Sequence, residues 1–312
     1  MDNQVYDVII VGAGPAGCFC ASHLAAAGKN VLVLEKNDKA HSKACGDGIS
    51  VGCVQLLRDI GFPIEKFEQS GAAKINKIIH TKLDGMVIRS IDTSAEPRYG
   101  LSRHKTDMLF RSFAEEKGAH ILYKTNVDKI YNEDGLFRLG EYKAKDIVIA
   151  CGAFASLNVC GRSVKSDVDT MAAGISATIG CANGTDSGFT FVYDPKLEGT
   201  YAWVFKTDGD NYNVGLWLKK DKSRLKKLFR EFLNSYVPQA LQAQFTVVTP
   251  PRGAIMPVKN ISEQFNRNSE DGVFFAGDVC GTADPLSGEG ISQAILSGLS
   301  AAKKILERNS SE

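Results

Sequence analysis

Three features near the start of the chain predict an α/β fold. An apolar run, 6–11 (YDVIIV), broken only by Asp7, enters a glycine string, Gly12-Ala-Gly-Pro-Ala-Gly17. A small-residue helical segment, 18–27, then closes on Gly28 as its C-cap. A second apolar run, 31–34 (VLVL), ends on Glu35. Apolar runs of this kind are strands of a parallel sheet buried on both faces, so the three features make one βαβ unit. The class predicted is a Rossmann-type core, with a mainly antiparallel β-sheet inserted into it.

The remaining elements follow in order. Residues 75–93 alternate as strands about a turn at Asp84-Gly85, and 105–117 reads as an amphipathic helix with Met108, Leu109, Phe113 and Ala114 inward. Strands are expected over 121–127, 136–139 and 145–150, the last ending at Cys151-Gly152. A second β-rich block spans 171–218, with 189–193, 201–205 and 213–218 as its clearest strands. A helix over 223–236 turns Leu225, Leu228, Phe229 and Phe232 inward. A final buried strand, 273–276, precedes Gly277-Asp278 and a helix over 290–306. The expected division is a discontinuous nucleotide domain of 1–72, 100–168 and 250–312, and a substrate-binding sheet domain of 73–99 and 169–249.

Composition excludes several classes. With 37 Lys+Arg against 36 Asp+Glu, no sequence-wide field draws nucleic acid or anionic lipid. The eight cysteines form no Cys-x-x-Cys pair and no histidine cluster completes a metal set, so no metal is expected. Free thiols, and an N-terminus that runs straight into a strand, suggest the cytoplasm. No apolar run is long enough to span a bilayer, so any membrane contact is expected to be peripheral.

A Gly-x-Gly-x-x-Gly string alone says little; its setting between two buried strands says more. Gly12 permits the tight turn, Gly14 lets a diphosphate approach the backbone, and Gly17 packs helix on strand. Unpaired N–H groups at the helix N-terminus then face the anion. Glu35, at the end of the second strand, is placed to accept ribose hydroxyls and to repel a 2′-phosphate, which favours FAD or NAD over NADP.

The C-terminal motif separates those two. Gly277-Asp278-Val-Cys-Gly281 and Asp284-Pro-Leu-Ser-Gly288-Glu-Gly290-Ile291 resemble the second FAD motif of the para-hydroxybenzoate hydroxylase-like flavoproteins. That resemblance implies a GR2-like FAD domain in which Asp278 binds the ribitol and Gly288, Gly290 and Ile291 face the flavin pyrimidine. N–H groups there would stabilise the negative charge of reduced flavin. The segment around Arg103 resembles that superfamily's cofactor-contacting arginine before a helix. The same resemblance implies cofactor contacts at Ala16, Lys36, Val127 and Gly152.

Two further segments narrow the family. Lys43-Ala-Cys45-Gly46-Asp-Gly48 resembles the Lys-x-Cys-Gly-Gly/Glu-Gly segment of geranylgeranyl reductases. Tyr201-Ala-Trp203-Val-Phe205, with Asn213-Val-Gly215, resembles their Tyr-x-Trp-x-Phe-Pro motif and its trailing strand. This implies FAD-dependent saturation of isoprenoid double bonds in a geranylgeranyl or polyprenyl group on a lipid, quinone or chlorophyll precursor. The sequence does not choose among NAD(P)H, ferredoxin and another flavoprotein as electron donor. Lys206 replaces the family proline, and Ala150–Ser156 replaces a superfamily Asp-Gly motif. Relatives continue past the last core helix, so a shorter, open tunnel or a partner that completes it is expected here.

Tyr201, Trp203 and Phe205 fall on one strand face, as slot wall or as sheet core, and Tyr201 could relay a proton. Cys45 and Gly46 would lie at the flavin; Cys45 serves as proton donor or guide, or is simply a small buried residue. A flavin monooxygenase or halogenase acting on an aromatic or polyketide is the competing enzymatic reading, and a non-catalytic flavin carrier the third.

Overall fold

The computed structural model describes residues 4–41, 43–153, 155–165, 171–184, 188–257 and 272–309. The chain divides into two compact units. The first holds Met1–His41, Asp107–Met171 and Met256–Glu312, and the second Ser42–Thr106 and Ala172–Ile255.

In the first unit, strand Val5–Val11 pairs in parallel with Val31–Leu34 on one side and Tyr142–Ile149 on the other. His120–Leu122 extends one end and Val273–Phe275 pairs in parallel with Tyr142–Ile149. Leu136–Leu139, Lys129–Glu133, Ser156–Val159 and Arg162–Lys165 continue it, giving nine strands among the described residues. Val8, Ile9, Ile10 and Leu32 to Leu34 are buried. This is what an apolar run without alternation specifies.

Helix Pro15–Ala26 buries residues on every side, because it lies between the sheet and helix Ile291–Asn309. The crossing is close: a Cβ on Gly298 would overlap the Ala16 carbonyl. Helix Arg103–Glu116 departs from the sequence pattern. Its buried face carries Thr106, Asp107, Phe110, Arg111, Phe113 and Ala114, whereas Met108 is exposed. Phe110 and Phe113 pack on Phe19.

The second unit centres on a seven-stranded sheet in the order Thr246–Met256, Ala172–Gly180, Asn211–Leu218, Ala202–Lys206, Phe189–Tyr193, Lys77–Lys82, Val87–Asp92. Phe189–Tyr193 pairs with Lys77–Lys82 in parallel, while Asn211–Leu218 with Ala172–Gly180 and with Ala202–Lys206, Ala202–Lys206 with Phe189–Tyr193, and Lys77–Lys82 with Val87–Asp92 are antiparallel. One face is aliphatic: Ile175, Ala177, Val192, Val204, Val214 and Leu216 pack on Leu225, Leu228, Phe229, Phe232 and Val237. The covering helix runs on to Leu241 rather than ending at 236. It passes through a π turn, Phe232–Tyr236, into Val237–Leu241. Pro238 has no N–H to bond the preceding turn, and the wider turn absorbs that loss. A small sheet joins Gly48–Ile49, Tyr99–Gly100 and Ala73–Lys74.

Residues 42–72 and 100–106 therefore pack with the sheet unit, where the sequence reading had them with the nucleotide core. The reason is local: Gly100 lies so close to the Lys206 carbonyl that a Cβ would overlap it. Among the described residues no helix is long and apolar enough to cross a membrane.

Candidate active site

The first unit carries a cradle of backbone. Gly12 adopts φ +110°, and a Cβ there would stand 2.9 Å from the Ala150 carbonyl carbon. A Cβ on Gly17 would overlap the Gly12 carbonyl, so both positions demand glycine. Gly14 differs: it has ordinary extended geometry and open space where its Cβ would be. The fold itself places no demand for glycine at 14, and the open backbone there leaves room for a diphosphate at the helix N-terminus.

Glu35 is buried beside this turn. Its Oε2 accepts the Ala13 N–H at 2.9 Å, and its Oε1 accepts the backbone and side-chain N–H groups of Asn37 at 2.9 and 2.7 Å. The carboxylate thus fixes the glycine turn from the end of the second strand. Arg111 holds the turn from the other side: its Nε donates to Ala13 O and its Nη1 to Lys39 O, both at 3.1 Å. This is why a guanidinium occupies the buried face of its helix. Helical periodicity, which counts apolar positions, gave no sign of it.

The expected strand over 121–127 ends at Leu122. Beyond it Lys124 takes φ +56°, and the N–H groups of Lys124 and Thr125 donate to Asn37 O and Glu35 O. These bonds carry the backbone alongside Glu35 instead of continuing the sheet, with Val127 half-buried against the core and Lys36 exposed.

The C-terminal motif meets the N-terminal one at Ala16. Gly277, at φ +77°, has Ala16 Cβ 2.9 Å from where its own Cβ would be, and its N–H donates to Ser297 Oγ at 2.8 Å. Asp278 follows in a 3-10 turn, its Oδ1 3.9 Å from a Cβ built on Gly290. Asp284 folds the loop by accepting from the Leu286 and Ser287 N–H groups, and Gly288 takes φ +69°. Ile291 then opens the last helix. Gly152, at φ +80°, also has open space around it. Two glycine-lined helix starts, an open Gly14 and a carboxylate at each motif fit an extended dinucleotide.

The second unit carries an aromatic sheet face. Trp203 lies opposite Gly215 and Phe191, and Phe205 opposite Asn213 and Phe189. Tyr201 joins them, 6.2 Å from Trp203, 5.0 Å from Phe191 and 5.8 Å from Trp217 between ring centroids. Phe205 is 4.5 Å from Phe189. At the far side His80 stacks on Tyr193 and meets its hydroxyl through Nδ1 at 2.9 Å. A Cβ on Gly215 would stand 2.7 Å from Trp203 Cε2 and 2.6 Å from Ile175 O. That glycine exists so that the indole can lie over it.

The loop of Cys45 and Gly46 packs on this face: a Cβ on Gly46 would stand 3.5 Å from the Trp203 ring. Asn213 ties the assembly together. Its Oδ1 accepts the Trp203 indole N–H at 2.7 Å, and its Nδ2 donates to Cys45 O at 2.8 Å and Asp47 Oδ2 at 2.7 Å. Asp47 Oδ1 accepts the Arg103 N–H at 2.9 Å, so Arg103 stands in the same cluster as Cys45. Burial pushes the Cys45 thiol above its ordinary pKa, with the Arg103 guanidinium pulling the other way. Burial also pushes Asp47 up to about 7. Neither Asp47 nor Asn213 was singled out for chemistry in the sequence, although both sit inside the two segments that carried the resemblance. Lys206 donates its N–H to Gly188 O at 3.1 Å, a bond that a proline could not make.

Comparison with known proteins agrees with this geometry. Residues 5–138 match the family model of the FAD binding domain. The chain is an FAD-dependent oxidoreductase. FAD is its cofactor. It is 26% identical to digeranylgeranylglycerophospholipid reductase 1 of Methanococcoides burtonii, over 97% of this chain and 74% of that protein. It is 24% identical to menaquinone reductase of Mycobacterium tuberculosis, over 97% and 77%. A geranylgeranyl bacteriochlorophyll reductase-like protein from Thermoplasma acidophilum superposes with a TM-score of 0.76 at 22% identity, covering 99% of this chain and 80% of that one. A flavin-dependent brominase superposes equally well, with a TM-score of 0.76 at 19% identity over 99% and 80%. At these identities the two structures speak for the fold alone.

Proposed function

We propose that this flavoprotein saturates carbon–carbon double bonds of a geranylgeranyl or polyprenyl chain carried by a lipid or quinone. The observation that carries the proposal is the aromatic face of Tyr201, Trp203 and Phe205 with the Cys45–Gly46 loop packed on it. The reductase names of the relatives support it. In this reading the first unit holds the cofactor and the second covers the substrate.

Bound FAD supplies the hydride chemistry. The residues proposed to hold it are Gly12, Gly14, Ala16, Gly17, Glu35, Lys36, Val127, Gly152, Asp278, Gly288, Gly290 and Ile291, all in the first unit. Backbone N–H groups at the starts of helices Pro15–Ala26 and Ile291–Asn309 would offset its negative charge. The aromatic side chains exclude water and orient an apolar chain without competing polar groups. Cys45 holds a proton at Sγ: the burial that raises its pKa keeps the thiol neutral, the state an acid needs when an alkene carbon is to be protonated. Tyr201, half-buried at the edge of the same face, is the second candidate for that proton.

Mass spectrometry of small molecules that co-purify with the protein tests the substrate class. FAD together with a prenyl lipid or prenylquinone is the expected result. FAD together with an aromatic or polyketide ligand would replace this reading with the monooxygenase one.

A further inference from the structure

A buried carboxylate behind the aromatic face has no part in the reaction as described above, yet it dictates how that face is arranged. An indole N–H can only donate, so the oxygen of the Asn213 amide must be the atom facing Trp203, at 2.7 Å. Its two N–H donors are then committed to the opposite side, where they find Cys45 O at 2.8 Å and Asp47 Oδ2 at 2.7 Å. Cys45 O also accepts from Ser176 Oγ at 3.2 Å. The second Asp47 oxygen accepts the Arg103 N–H at 2.9 Å. Asp47, Asn213, Trp203, Ser176 and Arg103 are all buried.

Each Asp47 oxygen thus faces an N–H donor. A carboxylate satisfies both, whereas a carboxylic acid turns one oxygen into a donor with only a donor opposite it. The geometry points to Asp47 as a positioning residue: acting through Asn213, its ionised carboxylate holds the Trp203 indole and the Cys45 backbone in register. Protonation of Asp47 releases one end of the chain of bonds, and the amide, the indole and the Cys45 loop lose their fixed relation.

The groups around Asp47 set where that release falls. Burial disfavours the charge, the bonds from Asn213 and Arg103 favour it, the Arg103 guanidinium favours it, and Asp208 opposes it. Asp208 is itself held by Lys105 Nζ at 2.7 Å. Cys45 stands on the same loop, neutral for the reason given above. Both forms of Asp47 are therefore populated near neutral pH.

The inference rests on the proposed site only for its consequence in catalysis; its test does not. The protein has two tryptophans, so 15N-labelled, FAD-loaded enzyme gives two indole N–H signals, assigned with Trp217→Phe. The Trp203 signal should titrate with a midpoint near 7, and the Trp217 signal should not. Asp47→Asn and Asn213→Ala should each abolish the titration. Should either variant fail to fold, the unmutated enzyme still decides: a Trp203 signal that is flat from about pH 5 to 8 overturns the proposal. Failure to reduce prenyl substrates, with the titration intact, would remove the substrate reading and leave Asp47 in its role.

Discussion

The glycine cradle and the aromatic face are built on opposite principles. The cradle is backbone: Gly12, Gly17 and Gly277 are glycines because a Cβ would strike a neighbouring segment, while Gly14 has open space beside it, where the proposed cofactor would approach. The aromatic face is side chain: large rings packed across strands at tilted and edge-on angles, held in orientation by one amide and one carboxylate. Damage to the first should therefore remove the cofactor outright. Damage to the second should leave the cofactor in place and impair what is done with it.

The sharpest way to break that contrast is Gly17→Val. Its side chain would overlap the Gly12 carbonyl, and the purified protein should be colourless, read as the absorbance ratio of flavin to protein. Retained yellow colour would mean that the cradle is more compliant than the backbone packing implies. Next is Cys45→Ala. If the thiol is the acid, flavin content should stay normal and anaerobic turnover should fall by about 10²–10⁴-fold. An unchanged rate would leave Tyr201 to be tested in its place.

Gly215→Ala should have a smaller effect. Crowding the indole costs about 1–3 kcal/mol, enough to lower turnover at least several-fold while flavin absorbance is unchanged. Arg111→Met strips a donor from the carbonyls of Ala13 and Lys39, at a cost of about 1–3 kcal/mol. It should weaken FAD retention in equilibrium dialysis without altering substrate KM, placing Arg111 with the cradle.

The last effect expected is a pH slope. Asp47 has a folded pKa raised to about 7 from 3.8 by burial, so the folded chain binds its proton more tightly than the unfolded chain does. Its contribution to stability is full below the ordinary carboxylate range and is lost as pH rises through 7. Relative to Asp47→Asn, the unmutated protein should lose stability between about pH 4 and 7 and level off above that, seen in denaturant midpoints. The opposite slope would mean that the hydrogen bonds outweigh the burial. The ionised form that aligns the site thus comes at some expense to the fold.

The same contrast explains what the sequence could disclose. Cradle residues lie at fixed short spacings inside one βαβ unit and one turn, and those spacings are dictated by backbone geometry. Gly12, Gly17, Glu35 and Gly277 could therefore be read directly. Arg111 could not, since a buried arginine has no periodic signature and its partners, Ala13 and Lys39, are far away in the chain. The aromatic face was legible only as an alternation, Tyr201, Trp203, Phe205. Its control by Asp47 through Asn213 links residues 166 apart, a pairing that no local pattern encodes. The strand expected over 121–127 failed for a related reason: bonds to Glu35 and Asn37 outcompeted the sheet.

Anaerobic single turnover tests the central claim most directly. Enzyme carrying reduced FAD is mixed, without oxygen, with a geranylgeranylated lipid or quinone, and the lipid is analysed by mass spectrometry. The account predicts oxidised flavin and a lipid that has gained two hydrogens across one double bond. Flavin that stays reduced until oxygen is admitted, with the lipid unchanged, would contradict it.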